Sequence, residues 1–342
     1  FGQWVDMDLG DYQDDYVGCD VQRGLGYGYN GDEFDADNGG AKGYGSQPPA
    51  IGVDFFQGPY QDNDEADNPG PASNTQYLPY NIAFNNAGVP YKGIGIGYGD
   101  GIPDNERFGM RKFLYHNNST AVTGDPQTGA EYYNYLRGYW RDGTRMVYGG
   151  NGHQASGGTE PADYMFPDDS DPIGWGTEGI IQPIWNEVTS GNTPADRRFM
   201  QSAGPFTLGS GAVNNITVGV VWSQATSGGR WASLQQVRKA DDKTQAMFDN
   251  CFRVLNGPDA PELSFRELDK ELIIYITNKS ISNNRNESYL ETDIFLGVPD
   301  SLDLDNDSNG IKEYALTPQE RMDFASFKFQ GFLIFQVKDN TV

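Results

Sequence analysis

The chain has 342 residues, with 48 acidic against 24 basic side chains and a formal net charge of -24, which excludes a nucleic-acid partner because phosphates would be repelled. Aromatic residues make up 13% of the chain, more than acidic disordered segments carry, so the acidity belongs to a folded protein. Its 44 Gly and 19 Pro follow no period, which excludes collagen and points to loop-rich β architecture; no apolar run is long enough to span a membrane.

The length suits two or three domains. The chain opens at FGQW, without Met or signal peptide, and reads as an excised mature segment. Up to about residue 200, short apolar pieces (FGQWV, IGVDFF, RKFLY, MVYG) alternate with Gly, Pro, Asn and Asp clusters, the pattern of short strands joined by elaborate loops. YNYLRGYW, from Tyr133, reads as another short strand or as one short helix. RRFMQSAGPFTL and ITVGVVWSQA read as strands, expected to be neighbours in one sheet. A long amphipathic helix is expected over about 231–255, with Leu234, Val237, Ala240, Thr244, Met247, Phe248, Cys251, Val254 and Leu255 at three-four spacing. Asn256-Gly257-Pro258 stops it, which places Cys251 on its buried face.

The fold class is therefore mainly β. A Gly/Asp-rich domain, 1–256, carries the one long helix, and a second domain spans 257–342. The second domain opens with two strands joined by a turn at Leu268-Asp269-Lys270, the latter strand being ELIIYITN. An acidic insertion follows over about 280–319, and FASFKFQGFLIFQVKD supplies further strand-like runs.

Aspartate and asparagine interleaved with glycine form the natural oxygen ligand set for calcium. DMDLGDYQDDYVGCD crowds six aspartates into fifteen residues beside Trp4, Val5 and Leu9, and like charges at that spacing need compensation. Asp6 and Asp8 alternate along an extended segment, and Asp14, Asp15 and Asp20 are placed to close around an ion. GYGDGIPDNERFG offers Asp100, Asp104, Asn105 and Glu106, similar to the calcium-binding turns of thrombospondin-type repeats. DLDNDSNG offers Asp303, Asp305, Asp307 and Asn309; counted from Asp305 it matches half of an EF-hand loop, but Leu316 stands where the bidentate Glu belongs. DADNGG (Asp35, Asp37) and QDNDEADN, from Gln61, are weaker candidates of the same kind. Calcium is the expected cofactor.

Catalytic motifs are sparse. FPDDSDPIGWGTEG places Asp168, Asp169, Asp171 and Glu178 near Trp175, a set of acids that a glycosidase would need, but chance supplies such clusters in so acidic a chain. His116 and His153 are the only histidines, and neither H-E-x-x-H nor G-x-S-x-G occurs. GLGYGYNG contains G-x-G-x-x-G at Gly26, Gly28 and Gly31 without the flanking strand and helix of a dinucleotide site. No enzyme activity is expected. Trp140, Trp175 and Trp185 are candidates for stacking on sugar rings in an alternative carbohydrate-binding or carbohydrate-hydrolysing role. Cys19 and Cys251 are the only cysteines and form the one disulfide candidate, with two buried free thiols as the alternative.

Together, FGQWVDMDLGDYQDDYVGCD, YGYNGDEFD, PPAIGVDFFQGP, YMFPDDSDPIGWGT, DRRFMQSAGPFTLGSGAVNNITVGVVW and DDKTQAMFDNCF resemble a block in large secreted proteins of Bacteroidota-type bacteria. The resemblance covers most of residues 1–256. It implies export through the type IX secretion system and an extracellular or cell-surface location, and it bears on location more than on activity. Beyond Gly257, PDAPELSFRELDKELIIYITN and FQGFLIFQVKD resemble early strands of a fibronectin type III-like β-sandwich. The long acidic insertion departs from that pattern, and the sandwich is incomplete, so the remainder of a larger polypeptide or neighbouring subunits are the expected partners. Asp300-Ser301-Leu302 fits the O-glycosylation pattern of such bacteria, which makes Ser301 a candidate site. The expected function is a calcium-stabilised structural or adhesive region, with glycan binding or a homopolymeric fibre as alternatives.

Overall fold

The computed structural model describes residues 1–68, 95–249, 251–252, 257–292, 301–303, 313–315, 317, 319, 323 and 325–332. The chain divides into two compact units, Phe1–Gln245 and Ala246–Val342, upstream of the boundary at Gly257 that the sequence suggests. The described residues are mostly antiparallel β, as composition indicates, and no helix among them is long and apolar enough to cross a membrane.

The first unit contains β1 (Gly2–Asp6), β2 (Asp15–Asp20), β3 (Leu25–Asn30), β4 (Ala50–Gln57), β5 (Gly95–Ile96), β6 (Arg107–Phe108), β7 (Lys112–Asn117), α1 (Gly129–Leu136), β8 (Arg197–Ser202), β9 (Thr217–Ser223) and most of α2 (Gly229–Asp249). One antiparallel sheet runs in the order β2-β3-β4-β9 and a second in the order β1-β8-β7. The expectation that the strands now seen as β8 and β9 are neighbours is overturned. β8 is the centre of one sheet, flanked by β1 and β7, and residues 203–216 carry the chain to the edge of the other. A strand's apolar composition says that it will pair, not with which partner.

The period-two alternation of side chains places the two cores. Val17 and Cys19 of β2 join Phe113, Leu114 and Tyr115 of β7 and Phe199 and Met200 of β8 in the larger core. Tyr16, next to Val17, faces the other way and packs with Leu25, Tyr27 and Tyr29 of β3 and with Leu234 and Val237 of α2. β3 reads Leu-Gly-Tyr-Gly-Tyr, so its glycines occupy the face opposite its aromatics. A Cβ at Gly26 would lie 2.4 Å from Gln201 Oε1, and one at Gly28 would lie 1.6 Å from Met7 Sδ. The glycines of the G-x-G string thus let neighbouring chain approach the sheet closely, a packing role.

α1 begins at a capping box: Thr128 Oγ1 accepts from Glu131 N–H, and Glu131 reaches back to Thr128 N–H. It settles the strand-or-helix ambiguity at Tyr133 in favour of a helix starting four residues earlier. α2 buries Ser233, Leu234, Val237, Arg238 and Asp241, spaced by one face of a helix. Leu234 and Val237 each contribute about 1.5–3 kcal/mol by leaving water. The helix ends at Asp249, short of the expected 255, because Cys251 and Phe252 both take left-handed backbone angles. Cys251 is consequently exposed and not on a buried face, while Val254 and Leu255 lie outside the described residues.

In the second unit, β10 (Glu262–Leu268) and β11 (Glu271–Thr277) form a hairpin in the expected place, with Leu268 opposite Glu271 and Lys270 at φ 61° in the turn. Its side chains are almost all exposed, including Leu263, Phe265, Leu272 and Tyr275. β12 (Leu290–Thr292) pairs with β15 (Ser326–Lys328), and β13 (Ser301–Asp303) with β14 (Glu313–Ala315).

Candidate metal centres

The structure joins two acidic strings that lie far apart in sequence. Asp62 and Asp64, from QDNDEADN, meet Asp104, from GIPDNERFG, with one carboxylate oxygen of each within 4.8 Å of the others. Backbone hydrogen bonds hold the strings in register. Asp104 Oδ1 accepts from Asp64 N–H at 2.8 Å and from Glu65 N–H at 3.0 Å. Asp67 spans the facing turn, taking Gly99 N–H at 2.7 Å and Gly101 N–H at 2.6 Å. Among the described residues no Lys or Arg forms an ion pair with Asp62, Asp64 or Asp104. A cleft of about 370 Å³ opens beside the cluster, lined by Tyr60, Asp62, Asn63, Asp104, Leu208 and Val213 among others.

The other acids of this region serve the turns themselves. Asp100 accepts from Ile102 N–H at 2.8 Å and from Asn105 Nδ2 at 3.0 Å. Glu106 is buried and accepts from Asn68 N–H. Neither falls within the Asp62–Asp64–Asp104 group, although the sequence placed them with Asp104.

The opening stretch does not close on one ion; its aspartates go to three places. Asp6 and Asp8 join Asp196 in a second group of three within 4.8 Å. Arg198 already enters that group, at 2.9 Å from Asp6 and 3.8 Å from Asp196, and also reaches Asp125 at 2.8 Å. Burial, then Asp6 and Asp196, raise the Asp8 carboxyl above its ordinary range.

Asp15 and Asp20 occupy opposite ends of the buried strand β2 and cannot share a ligand. Asp20 is balanced by arginine: Arg23 NH1 lies at 2.9 Å and Arg238 Nε at 3.1 Å from its Oδ2. Those guanidinium groups do at Asp20 what calcium was expected to do. Asp14 and Asp15 sit at the start of β2, among other acids. Burial pushes Asp15 up to about 9 and Asp14 up to about 7, with neighbouring carboxylates adding to both.

The remaining candidates divide as follows. Asp305, Asp307 and Asn309 lie outside the described residues, and Ser301 and Asp303 are described only as backbone of β13. Asp35 accepts from Asp11 N–H and Tyr44 N–H, and Asp37 pairs with Lys42. The two cysteines are both free thiols in this structure. Cys19 is buried with its thiol donating to Met165 O at 3.2 Å, and Cys251 is a separate, exposed thiol.

Nothing in the catalytic or sugar-stacking sets assembles as a cleft residue. Trp140, Trp175 and Trp185 are buried in the larger core, so their rings are not available to sugars. Asp171 caps a short turn by accepting from Trp175 N–H at 2.7 Å and Gly176 N–H at 2.9 Å. His116 contacts Asp125 at 2.9 Å beneath the Trp4 ring, and His153 contacts Asp142 at 3.1 Å. Burial lowers His116 to about 4, so it stays neutral at physiological pH.

Comparison with protein families, with curated proteins and with solved structures returns no match.

Proposed function

We propose that this chain is a calcium-stabilised structural or adhesive region of a large extracellular, cell-surface protein of the type IX secreted kind, with a scaffolding and not a catalytic role. The observation that carries this reading is the Asp62–Asp64–Asp104 group. Three carboxylates from two loops are held together by backbone hydrogen bonds, and among the described residues no cationic side chain is paired to them. A hard divalent cation that accepts six to eight oxygens in irregular geometry is the partner such a group fits. The exposed apolar side chains Val218, Val220 and Trp222 on the edge strand β9, and those of the β10–β11 hairpin, support contact with further chain or with neighbouring subunits. The hairpin also belongs to the fibronectin-like part of the proposal.

Calorimetric titration of calcium into the wild-type chain and into Asp104→Asn tests the reading. Asn keeps an oxygen for Asp64 N–H and Glu65 N–H but removes the charge, so the fold survives and calcium affinity falls about tenfold or more. Calcium binding that is absent, or unchanged by the substitution, counts against it.

Glycan binding is a second reading, favoured by a cleft of about 490 Å³ lined by Tyr133, Tyr139, Phe206, Arg137 and Lys112. A glycan-array signal lost in Arg137→Ala is the result that supports it, and an array without signal is the result that rejects it.

A further inference from the structure

The start of the β2–β3 hairpin holds a set of oxygen atoms that lack partners. Asp15 stands directly opposite Asn30 in the antiparallel register, so the two side chains emerge on the same face of the sheet. Each is only 1% exposed. Asp14 immediately precedes β2, and its backbone carbonyl accepts Gly31 N–H at 2.5 Å, which ties it to the far end of β3.

One oxygen of each side chain is buried without a hydrogen-bond partner: Asp14 Oδ1, Asp15 Oδ1 and Asn30 Oδ1. The atoms beside them are used. Asp15 Oδ2 accepts Leu9 N–H at 3.1 Å, and Asn30 Nδ2 donates to Asp32 O at 3.2 Å. Three buried acceptors facing no donor are not a stable arrangement, because a lost hydrogen bond to water must be replaced. The guanidinium that reaches this end of β3, Arg230, is directed to the backbone carbonyls of Asn30 and Gly31 and to Glu33, and not to these three oxygens. The charged neighbours that act most on Asp14 are Asp11, Asp35 and Asp32, and those that act on Asp15 are Asp14, Asp35 and Asp8.

The loop that covers this spot is itself fixed. Asp35 takes Asp11 N–H at 2.8 Å and Tyr44 N–H at 2.9 Å. Gly10 sits at φ 60°, where a Cβ would come within 1.9 Å of Asp35 Oδ2. Leu9 N–H, on Asp15 Oδ2, joins that loop to the start of β2.

We propose that Asp14, Asp15 and Asn30 form a buried site for a divalent cation of the calcium class, distinct from the surface groups around Asp62 and Asp6. The donor set is all oxygen, two anionic and one neutral, which matches a hard cation and does not match zinc or copper. Backbone carbonyls and water complete its shell. The ion pins the 9–14 loop to the β2–β3 hairpin, so it is bound as part of folding. The inference rests on the reading that divalent cations stabilise this chain, and it gives that reading a second site.

The test is calcium titration and thermal unfolding of wild type, Asp15→Asn and Asn30→Asp, each with calcium and with chelator, and each checked for fold by circular dichroism. Asp15→Asn removes one of the two anionic donors, so one calcium per chain is lost or bound about tenfold more weakly. Its stability in chelator stays equal to or above that of wild type, because a buried carboxylate among carboxylates is gone. Asn30→Asp acts oppositely, adding an anionic donor. It lowers stability in chelator and enlarges the stabilisation by calcium. Calcium stabilisation equal in all three proteins overturns this site and leaves the Asp62–Asp64–Asp104 group standing. No calcium stabilisation in wild type overturns both.

Discussion

Replacing Glu187 by Gln probes how the first unit holds buried charge. Glu187 is 0% exposed and Arg197 is 5% exposed. Arg197 donates to the carboxylate from Nε at 3.0 Å and from NH2 at 3.0 Å. Val17 N–H of β2 and Asn192 Nδ2 donate to the same carboxylate, each at 3.0 Å. The group thus joins β2, the start of β8 and the turn before it. Glutamine keeps one acceptor oxygen but sets an amide N–H against the guanidinium, which is left buried and unbalanced. Removing one partner of a buried pair costs about 3–5 kcal/mol. In a unit of this size each kcal/mol moves the melting temperature by roughly 2–4 °C, so the expected fall is roughly 6–20 °C. Urea unfolding and scanning fluorimetry at neutral pH measure it. The double variant with Arg197→Met removes both charges and recovers most of the loss, since burial of the ion pair itself is close to balanced by its desolvation. A single-variant loss under about 1 kcal/mol, the level of an exposed pair, refutes the reasoning. So does a double variant no more stable than the single.

Two further outcomes follow from buried titratable groups. Burial, with Asp20 and Asp242 nearby, pushes the Asp54 carboxyl up to about 8. The folded chain then keeps a proton that the unfolded chain has released above about pH 4, so this group makes wild-type stability decline as pH rises from about 4 to about 8 and adds no further loss above that. Asp54→Asn escapes that loss, and its melting temperature relative to wild type climbs between about pH 4 and about pH 8 and is level above that; a difference independent of pH across that range contradicts the assignment. Cys251 is exposed whereas burial holds the Cys19 thiol well above its usual range. A thiol reagent therefore modifies Cys251 in the native chain and Cys19 only after unfolding, and failure to label either in denaturant means that the two are bridged.

What the sequence made legible was local. The alternating pieces become strands, Leu268-Asp269-Lys270 becomes a hairpin turn, and the Leu234/Val237 spacing becomes the packed face of α2. What it hid was partner choice. Asp196 lies far along the chain from Asp6 and Asp8, yet β1 pairs with β8 and brings it alongside. Arg23 and Arg238 claim Asp20, which composition alone assigns to a metal as readily as Asp15. The early end of α2 comes from left-handed angles at Cys251 and Phe252, residues that carry no helix-stop signal. Asn30 drew no notice because its string, GYGYNG, reads as a glycine pattern; only the register places it opposite Asp15. QDNDEADN and GIPDNERFG each carry half of one cluster, and neither half is distinctive alone.

The most direct measurement of the central claim is the melting temperature of the chain at low ionic strength, in chelator and in saturating calcium, with magnesium as the control. Calcium at a hundred times its dissociation constant adds about 2.7 kcal/mol for one site. That corresponds to a rise of roughly 5–11 °C, with magnesium giving less because it demands a smaller, octahedral cage. A melting temperature that calcium leaves where the chelator put it contradicts the account.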